Sequence, residues 1–326
     1  MTSPPAVRAV VVTWNGKHLL GECLGSLLAQ EVDGGLEVVV VDNASTDGTA
    51  EMLARDFPSV AVLAAPTNLG FAGGAALGID GFGGEFIVLL NNDATFEPGA
   101  VEALVSCART PGNERVGAVT AKILLARESG STAPVLVNST GGLVTRAGTG
   151  TDRDWLVPDG RESSDPDVFG FCGGAALLRR AALDDVGSFD PSLFLYYEDT
   201  DLSWRLRAGG WLVRYAPAAV AHHLHAASSG TGSPVFRFYN TRNSLIVFGR
   251  YAPAGIVVRS FARQTAGWVR ACVTSGPRDE GTRARGRALA AAARRTPTTL
   301  RERRATWAGA RTPLRVVARY LTGAGA

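Results

Sequence analysis

The stretch "LEVVVVDNASTDGTAEMLARDF", residues 36–57, decides the fold. Its four consecutive valines show none of the in–out alternation of a half-exposed strand. That pattern belongs to a strand buried on both faces of a parallel sheet. Behind them Asp42, Asn43, Ser45, Asp47 and Gly48 supply turn chemistry, and "TAEMLARDF" (49–57) has helical spacing. The pattern repeats on either side. "AVRAVVVTW" (6–14), "VAVLAAP" (60–66), "EFIVLLNND" (85–93) and residues 115–125 read as strands. "HLLGECLGSLLAQ" (18–30), "AGGAALGIDGF" (72–82) and residues 98–109 read as helices. Such alternation predicts an α/β chain with a mostly parallel central sheet and helices on both faces. Ligands of these sheets sit beyond the carboxyl ends of the strands. Thr13, Asp42, Asn43, Asn68 and Asp93, which close those strands, are therefore the residues of interest.

The chain has 326 residues, 46% of them apolar, with no apolar run near the ~18 that would span a membrane. Its start lacks the basic region and cleavage site of a signal peptide. Cys23, Cys107, Cys172 and Cys272 are scattered without a C-x-x-C pair, which points away from a disulfide framework and toward a reducing cytoplasm. The net charge of +3 conceals a division, because residues 236–326 hold 18 arginines against 3 acids. The expected organisation is a catalytic domain over 1–235, with a nucleotide-binding half (1–110) and an acceptor half (111–235). A basic helical extension follows over 236–326, broken near Pro253, Pro277, Pro297 and Pro313. A strand is expected around 211–216, and the polar text around 126–155 reads as irregular hairpins or a flap.

The first strand leads into "TWNGKHLLG", not the G-x-G-x-x-G of a dinucleotide site, which argues against hydride transfer. Asp42 has two readings: acceptor for the ring N–H of a uracil or thymine, or part of a turn with Ser45 and Asp47 that caps the next helix. "LLNND" (89–93) offers Asn91, Asn92 and Asp93 either as oxygen ligands for a hard cation or as a turn. "FLYYEDTDLSWR" (194–205) sets Glu198, Asp199 and Asp201 behind an apolar approach. Like charge and desolvation there raise carboxylate pKa values, unless this is only a solvated helix start. "AHHLHAASSG" (221–230) offers His222, His223 and His225 as metal ligands or as structural residues. "FGFCGGAALLRR" (169–180) reads as a glycine-rich loop, in which Cys172 has no base partner and reads as a small buried hydrophobe.

"VVTWNG", "VVVVDNASTDGT", "PTNLGFAGGAALGI", "LLNNDA", "FCGGAALLRR" and "YYEDTDLSWRLRAGGW" occur in order and at usual spacings. Over residues 6–250 the chain resembles glycosyltransferase family two, the inverting nucleotide-sugar enzymes of the GT-A fold. Within it the chain looks like the bacterial rhamnosyltransferase-like branch that builds cell-surface polysaccharide. The resemblance implies that Thr13, Asn15 and Asp42 line the nucleotide pocket. Asn68, Gly70, Gly73 and Asn92 would lie near the ribose and sugar diphosphate. Asp93 takes the last position of a D-x-D-like metal motif, with Asn91 where many members carry Asp, and Mg²⁺ or Mn²⁺ is the implied cofactor. His223, aligned on Ser228, is the favoured partner for Asp93, and His225 the second choice. Asp199 is the implied base, with Glu198 assisting at the sugars. Asp201 would cap the helix or pair with Arg205. Cys172, Gly173, Gly174 and Trp204 are expected beside the acceptor.

These implications make the protein an inverting transferase that moves a sugar, with L-rhamnose as the leading identity, from a UDP- or dTDP-sugar. The acceptor would be lipid-linked or a polysaccharide, at the cytoplasmic membrane face. A soluble natural-product acceptor and a non-catalytic sugar-nucleotide-binding protein are the alternatives. In the extension, Val257, Phe261, Thr265, Trp268 and Cys272 share one helical stripe, and Arg259, Arg263 and Arg270 another. That pattern suits an anionic membrane surface, a homodimer interface or packing on the catalytic body. The acidic body and the catalytic motifs argue against nucleic acid.

Overall fold

A computed structural model describes residues 5–127, 132–224 and 233–323. In chain order the elements of the first half are β1 (Val7–Thr13), α1 (Lys17–Leu28), β2 (Leu36–Asp42), α2 (Thr49–Asp56), β3 (Ala61–Ala64), α3 (Gly70–Ile79), β4 (Phe86–Leu90), β5 (Ala94–Phe96), α4 (Ala100–Arg109) and β6 (Val116–Leu125). Then come β7 (Val137–Ser139), β8 (Gly142–Val144), β9 (Gly150–Asp152), β10 (Ala175–Arg179), α5 (Arg180–Val186), α6 (Glu198–Ala208) and β11 (Leu212–His223). The extension forms α7 (Pro234–Tyr251), α8 (Ala254–Thr274), α9 (Glu280–Ala308) and α10 (Leu314–Val317).

The main sheet runs β3-β2-β1-β4-β10-β6-β11-β5, with β7 added beside β6. Strands β1 to β4 pair in parallel, as the valine runs predict. The second half departs from simple alternation. Strand β10, which the sequence pattern presents as a glycine-rich loop, inserts antiparallel between β4 and β6. Strand β11 extends past the expected residue 216, through an irregularity between Ala216 and Val220, as far as His223.

Strand side chains alternate between faces. Val7, Ala9 and Val11 of β1 face α1, α2 and α4 in one core, where Leu20, Leu24, Leu53, Leu104 and Val105 are also buried. Val10 faces the opposite core, with Ala75 and Ile79 of α3, Leu183 of α5 and Leu202 and Leu206 of α6. A third core forms outside α6, where Trp204 and Leu193 meet Ile246, Val247, Phe248 and Tyr251 of α7. The extension is thus layered directly on the helix that carries the acidic motif.

Three of the four expected helix breaks occur, but α9 continues through Pro297. A proline removes one link of the hydrogen-bond ladder. Packing on either side holds the helix together, with Ala284, Ala288, Ala292 and Thr299 all buried. Among the described residues no helix is long and apolar enough to cross a membrane.

Candidate active site

At the carboxyl ends of β1, β2 and β4, side-chain hydrogen bonds fix the turns that follow. The Asp42 side chain accepts from the Ser45 backbone N–H at 3.0 Å, an Asx turn at the end of β2. Asp47 accepts from Thr49 and from the Lys17 N–H, so the turn reading of this segment holds as well. Among the described residues no other donor bonds the Asp42 carboxylate, which is buried like Thr13 beside it on β1. Asn15 adopts φ 51° and its side-chain oxygen accepts from the Thr46 N–H at 2.7 Å, tying the first turn to the second. The Thr13 hydroxyl accepts from the Asn92 amide at 3.0 Å. Asn68 accepts from the Gly70 N–H at 2.8 Å and opens α3. A side chain at Gly70 (φ +67°) would strike the Phe194 carbonyl oxygen, so only glycine permits this close approach to the acidic segment. A Cβ at Gly73 would lie 2.7 Å from the Leu69 Cβ, which marks it as a packing position.

The sheet register creates the second feature. His223 of β11 stands opposite Ala94 of β5, and the Leu224 N–H donates to the Asp93 carbonyl at 2.9 Å. His223 Nε2 consequently lies 3.1 Å from Asp93 Oδ1, while His223 Nδ1 lies 2.6 Å from Asn138 Oδ1. A side-chain amide oxygen only accepts, so Asn138 holds a proton on Nδ1 and turns Nε2 toward the carboxylate. Two ligands of one octahedral Mg²⁺ stand about 3 Å apart when each bond is 2.0–2.1 Å. The Asp93–His223 pair fits that spacing. Among the described residues no group of three or more His, Cys, Asp or Glu side chains converges as a metal cage. A cation here would draw its other oxygens from diphosphate and water, as Mg²⁺ commonly does. His222 turns aside to Glu97 at 2.8 Å, and His225 lies outside the described residues.

The third feature is the acidic segment itself. Asp190, at the start of a 3₁₀ turn (Pro191–Leu193), precedes a loop in which Phe194, Tyr196 and Tyr197 have φ 67°, 68° and 70°. Phe194 has ψ −64°, and the Leu195 N–H donates to the Leu193 carbonyl at 2.8 Å. That is a γ-turn of the strained, positive-φ kind. Backbone strain of this type costs about 1–3 kcal/mol per residue and persists only where the surroundings impose it.

The loop delivers Glu198 and Asp199 into the first turn of α6, beside the glycine-rich approach to β10. Asp199 accepts from the Gly173 N–H at 3.2 Å and the Thr200 N–H at 2.6 Å, and burial raises its pKa. Burial and then the Asp199 charge push Glu198 up to about 8, and its buried Oε2 has no hydrogen-bond partner among the described residues. Burial, with the Asp199 charge adding to it, pushes Asp152 of β9 up to about 6. Burial first, then the charges of Asp152 and Asp199, hold the Cys172 thiol well above its ordinary value. The thiol stays protonated, in keeping with its reading as a small hydrophobe. Three carboxylates, Glu198, Asp199 and Asp152, thus share one desolvated wall. Asp201 faces away from it and binds Arg205 at 2.9 Å, as its spacing predicts, and also Arg250 at 2.7 Å.

Trp204 does not belong to this wall. It is 0% exposed and packs against Phe169, Tyr251 and Trp307, so it cannot touch an acceptor. Gly173 and Gly174 remain beside Asp199 and Asn91 respectively. Asn138 and Asp152 come from the polar text between β6 and β10, where nothing in the spacing singles them out. Asn243, whose bonds to the strained loop are described below, was equally unmarked apart from being an amide ahead of the apolar run "SLIVF".

The model of the family described as "Glycosyl transferase family 2" matches residues 9–187. A Mycobacterium tuberculosis protein named N-acetylglucosaminyl-diphospho-decaprenol L-rhamnosyltransferase is 33% identical over 244 residues, covering 68% of this chain and 76% of its own. Among solved structures, the mannosyltransferase PcManGT of Pyrobaculum calidifontis, in complex with GDP-Man and Mn²⁺, superposes with a TM-score of 0.53. It is 20% identical, over 91% of this chain and 88% of its own. Staphylococcus aureus TarS 1-349 with UDP-GlcNAc gives 0.52 at 18% identity, over 92% and 87%. These neighbours share the fold, and the sequence matches carry the family. The chain belongs to glycosyl transferase family 2 and is a glycosyltransferase of the GT-A fold.

Proposed function

We propose that the enzyme transfers L-rhamnose from dTDP-L-rhamnose, with inversion, to the sugar of an N-acetylglucosaminyl-diphospho-polyprenol at the cytoplasmic face of the membrane, in cell-surface glycan synthesis. The Mycobacterium relative supports the donor and acceptor class. The observation that carries the chemistry is the Glu198–Asp199 pair, with Glu198 buried and Asp199 partly buried beside the Gly173 N–H.

Glu198, at about 8, keeps its proton at neutral pH and leaves Asp199 as the charged member. Asp199, desolvated and so more basic than an ordinary aspartate, takes the proton of the attacking acceptor hydroxyl. The new glycosidic bond forms as the bond from the anomeric carbon to the diphosphate breaks, and the nucleoside diphosphate leaves. Glu198 Oε2, now without a partner, is the atom that a sugar hydroxyl would satisfy. On the donor side Asp42 has capacity left for the ring N–H of thymine. Asp93 and His223 would hold a divalent cation, which when bound supplies positive charge against the leaving diphosphate. Gly173 and Gly174 keep the acceptor wall free of side chains.

Attachment to the membrane falls to α9. Arg283, Arg287, Arg294, Arg301 and Arg304 are exposed and recur at helical spacing along one side. Among the described residues no carboxylate pairs with them, so they would meet anionic headgroups. The expected α8 stripe divides differently. Ile256, Ser260 and Gln264 face inward, and Arg259 and Arg263 donate to the carbonyls of Arg146 and Gly148.

The test is turnover of dTDP-L-rhamnose with a synthetic short-chain polyprenyl-diphospho-N-acetylglucosamine, with UDP-GlcNAc as the competing donor. A single rhamnosylated product of inverted anomeric configuration is expected. Preference for UDP-GlcNAc would overturn the donor assignment, and transfer to free N-acetylglucosamine at equal rate would overturn the lipid-linked acceptor.

A further inference from the structure

The strained loop 194–197 is held by a helix that the sequence places outside the catalytic domain. The Asn243 side-chain amide of α7, 0% exposed, shares its two N–H hydrogens among the carbonyls of Leu193 at 2.8 Å, Leu195 at 2.9 Å and Tyr196 at 2.8 Å, so one of these contacts is bifurcated. The Arg242 guanidinium donates to Asn243 Oδ1 at 2.8 Å and to the Ser192 carbonyl at 3.0 Å, which fixes the orientation of that amide. One turn of α7 therefore collects four consecutive or near-consecutive carbonyls of the segment that introduces Glu198. The local backbone bonds here, Phe194 N–H to the Pro191 carbonyl and the γ-turn from Leu195 N–H to the Leu193 carbonyl, leave the Leu195 and Tyr196 carbonyls to α7.

Two turns further along α7, Arg250 takes hold of the other side of the motif. Its guanidinium binds Asp201 Oδ1 and Asp190 Oδ2, both at 2.7 Å, and Glu302 of α9 at 2.8 Å. The Tyr251 hydroxyl donates to the same Asp201 oxygen at 3.0 Å, and the Phe248 ring meets Tyr197 edge-on at 5.7 Å. On the donor side the loop is bonded as well, because the Phe194 carbonyl accepts from the Ala72 N–H of α3 at 3.1 Å. The loop is thus strung between the donor helix and α7, with Asp199 two residues beyond its end.

We infer that α7 is part of the catalytic machinery. Asn243 and Arg250 are positioning residues that hold loop 194–197 in its strained form and so aim Asp199 at the acceptor, an inference that rests on the assignment of Asp199 as the base. Asn243→Ala removes the one side chain that bonds the carbonyls of Leu193, Leu195 and Tyr196 at once among the described residues. The loop would relax toward ordinary φ values and swing the first turn of α6. The Asp199 carboxylate would then move away from the Gly173 N–H.

The experiment uses the full-length chain with Asn243→Ala and, as a milder variant, Arg250→Lys. It compares backbone hydrogen exchange with steady-state kinetics on dTDP-L-rhamnose and the short-chain acceptor. In Asn243→Ala the Leu195 and Asp201 amides should exchange about 10-fold faster while those of β1 and β2 keep their protection. Turnover number should fall about 10–100-fold with donor KM within threefold, because misplacement of a reacting group affects the chemical step. The acid limb of the pH–rate profile should move to lower pH as Asp199 regains water. Arg250→Lys should shift the same readouts in the same direction by less. Unchanged exchange in 193–201, turnover within twofold of wild type, or exchange raised equally in every strand would each overturn the inference. If Asn243→Ala does not fold, the Arg250→Lys measurements decide by the same criteria. Asp199→Asn serves as the separate control. Full turnover in that variant would remove the base assignment, whereas exchange in the loop reports on the clamp whatever the base is.

Discussion

The two sides of the crevice are held differently: one by turns that close on themselves and are tied strand to strand through Asn15–Thr46 and Thr13–Asn92, the other by a helix packed on from outside. On the nucleotide side, Asp42 bonds Ser45, Asp47 bonds Thr49 and Asn68 bonds Gly70, each within three residues along the chain. On the acceptor side, the segment bearing Glu198 and Asp199 is held by Asn243, Arg250 and Tyr251, about fifty residues away. The first side can form its turns as soon as its strands pair. The second carries strained backbone and clustered carboxylates, which local bonding would not sustain. A site that binds a donor needs shape and satisfied polar groups. A site that removes a proton needs a carboxylate kept out of water, and that must be imposed from outside the segment.

The contrast is sharpest at Asp199. Asp199→Asn keeps the shape of the wall and removes the proposed base, so turnover should fall ~10²–10⁴-fold while calorimetric binding of dTDP stays within a few-fold. Loss of dTDP binding to the same extent would mean that the two sides do not divide the work. A smaller effect is expected from Asn138, which orients His223 without touching substrate. Asn138→Ala should weaken Mn²⁺-stimulated activity about 10–100-fold, checked by Mn²⁺ titration, with basal dTDP binding in EDTA unaltered.

The extension can be divided by a paired substitution on α9. Arg294→Gln with Arg301→Gln should lower affinity for anionic vesicles about 30-fold at low salt, since each basic residue near such a leaflet contributes ~1 kcal/mol. The difference should shrink as salt shortens the screening length. Cosedimentation measures both. Turnover on a water-soluble acceptor should be unchanged, because both arginines are exposed and lie away from the Glu198–Asp199 wall.

The smallest effect concerns stability. Glu198 has a folded pKa of about 8 against an ordinary 4.5, so between those values the folded state binds more protons than the unfolded one. Its contribution is complete below about pH 4.5 and is lost as pH rises through 8. Wild-type Tm should therefore decline from pH 5.5 to 8.5 more steeply than that of Glu198→Gln, by about 3 °C, read by scanning calorimetry. Parallel curves would mean that Glu198 is not the protonated partner.

The sequence by itself determined the nucleotide side. Unbroken valine runs, turn residues at strand ends and glycine at position 70 are local signals, because parallel pairing and tight turns constrain neighbouring residues directly. It also placed Asp93, His223, Glu198 and Asp199 within recognisable motifs, and it paired Asp201 with Arg205. What only the tertiary structure decided involves residues distant in the chain. Strand β10 looked like a loop because its apolar run is short and glycine-led, and only the gap between β4 and β6 makes it a strand. Trp204, next to the acidic motif in sequence, points into the core beneath it. Asn138, Asp152, Asn243 and Arg250 carry no motif of their own. They reach the site because β11 runs on to His223 and α7 packs across α6, and such long-range contacts leave no periodic trace in the sequence.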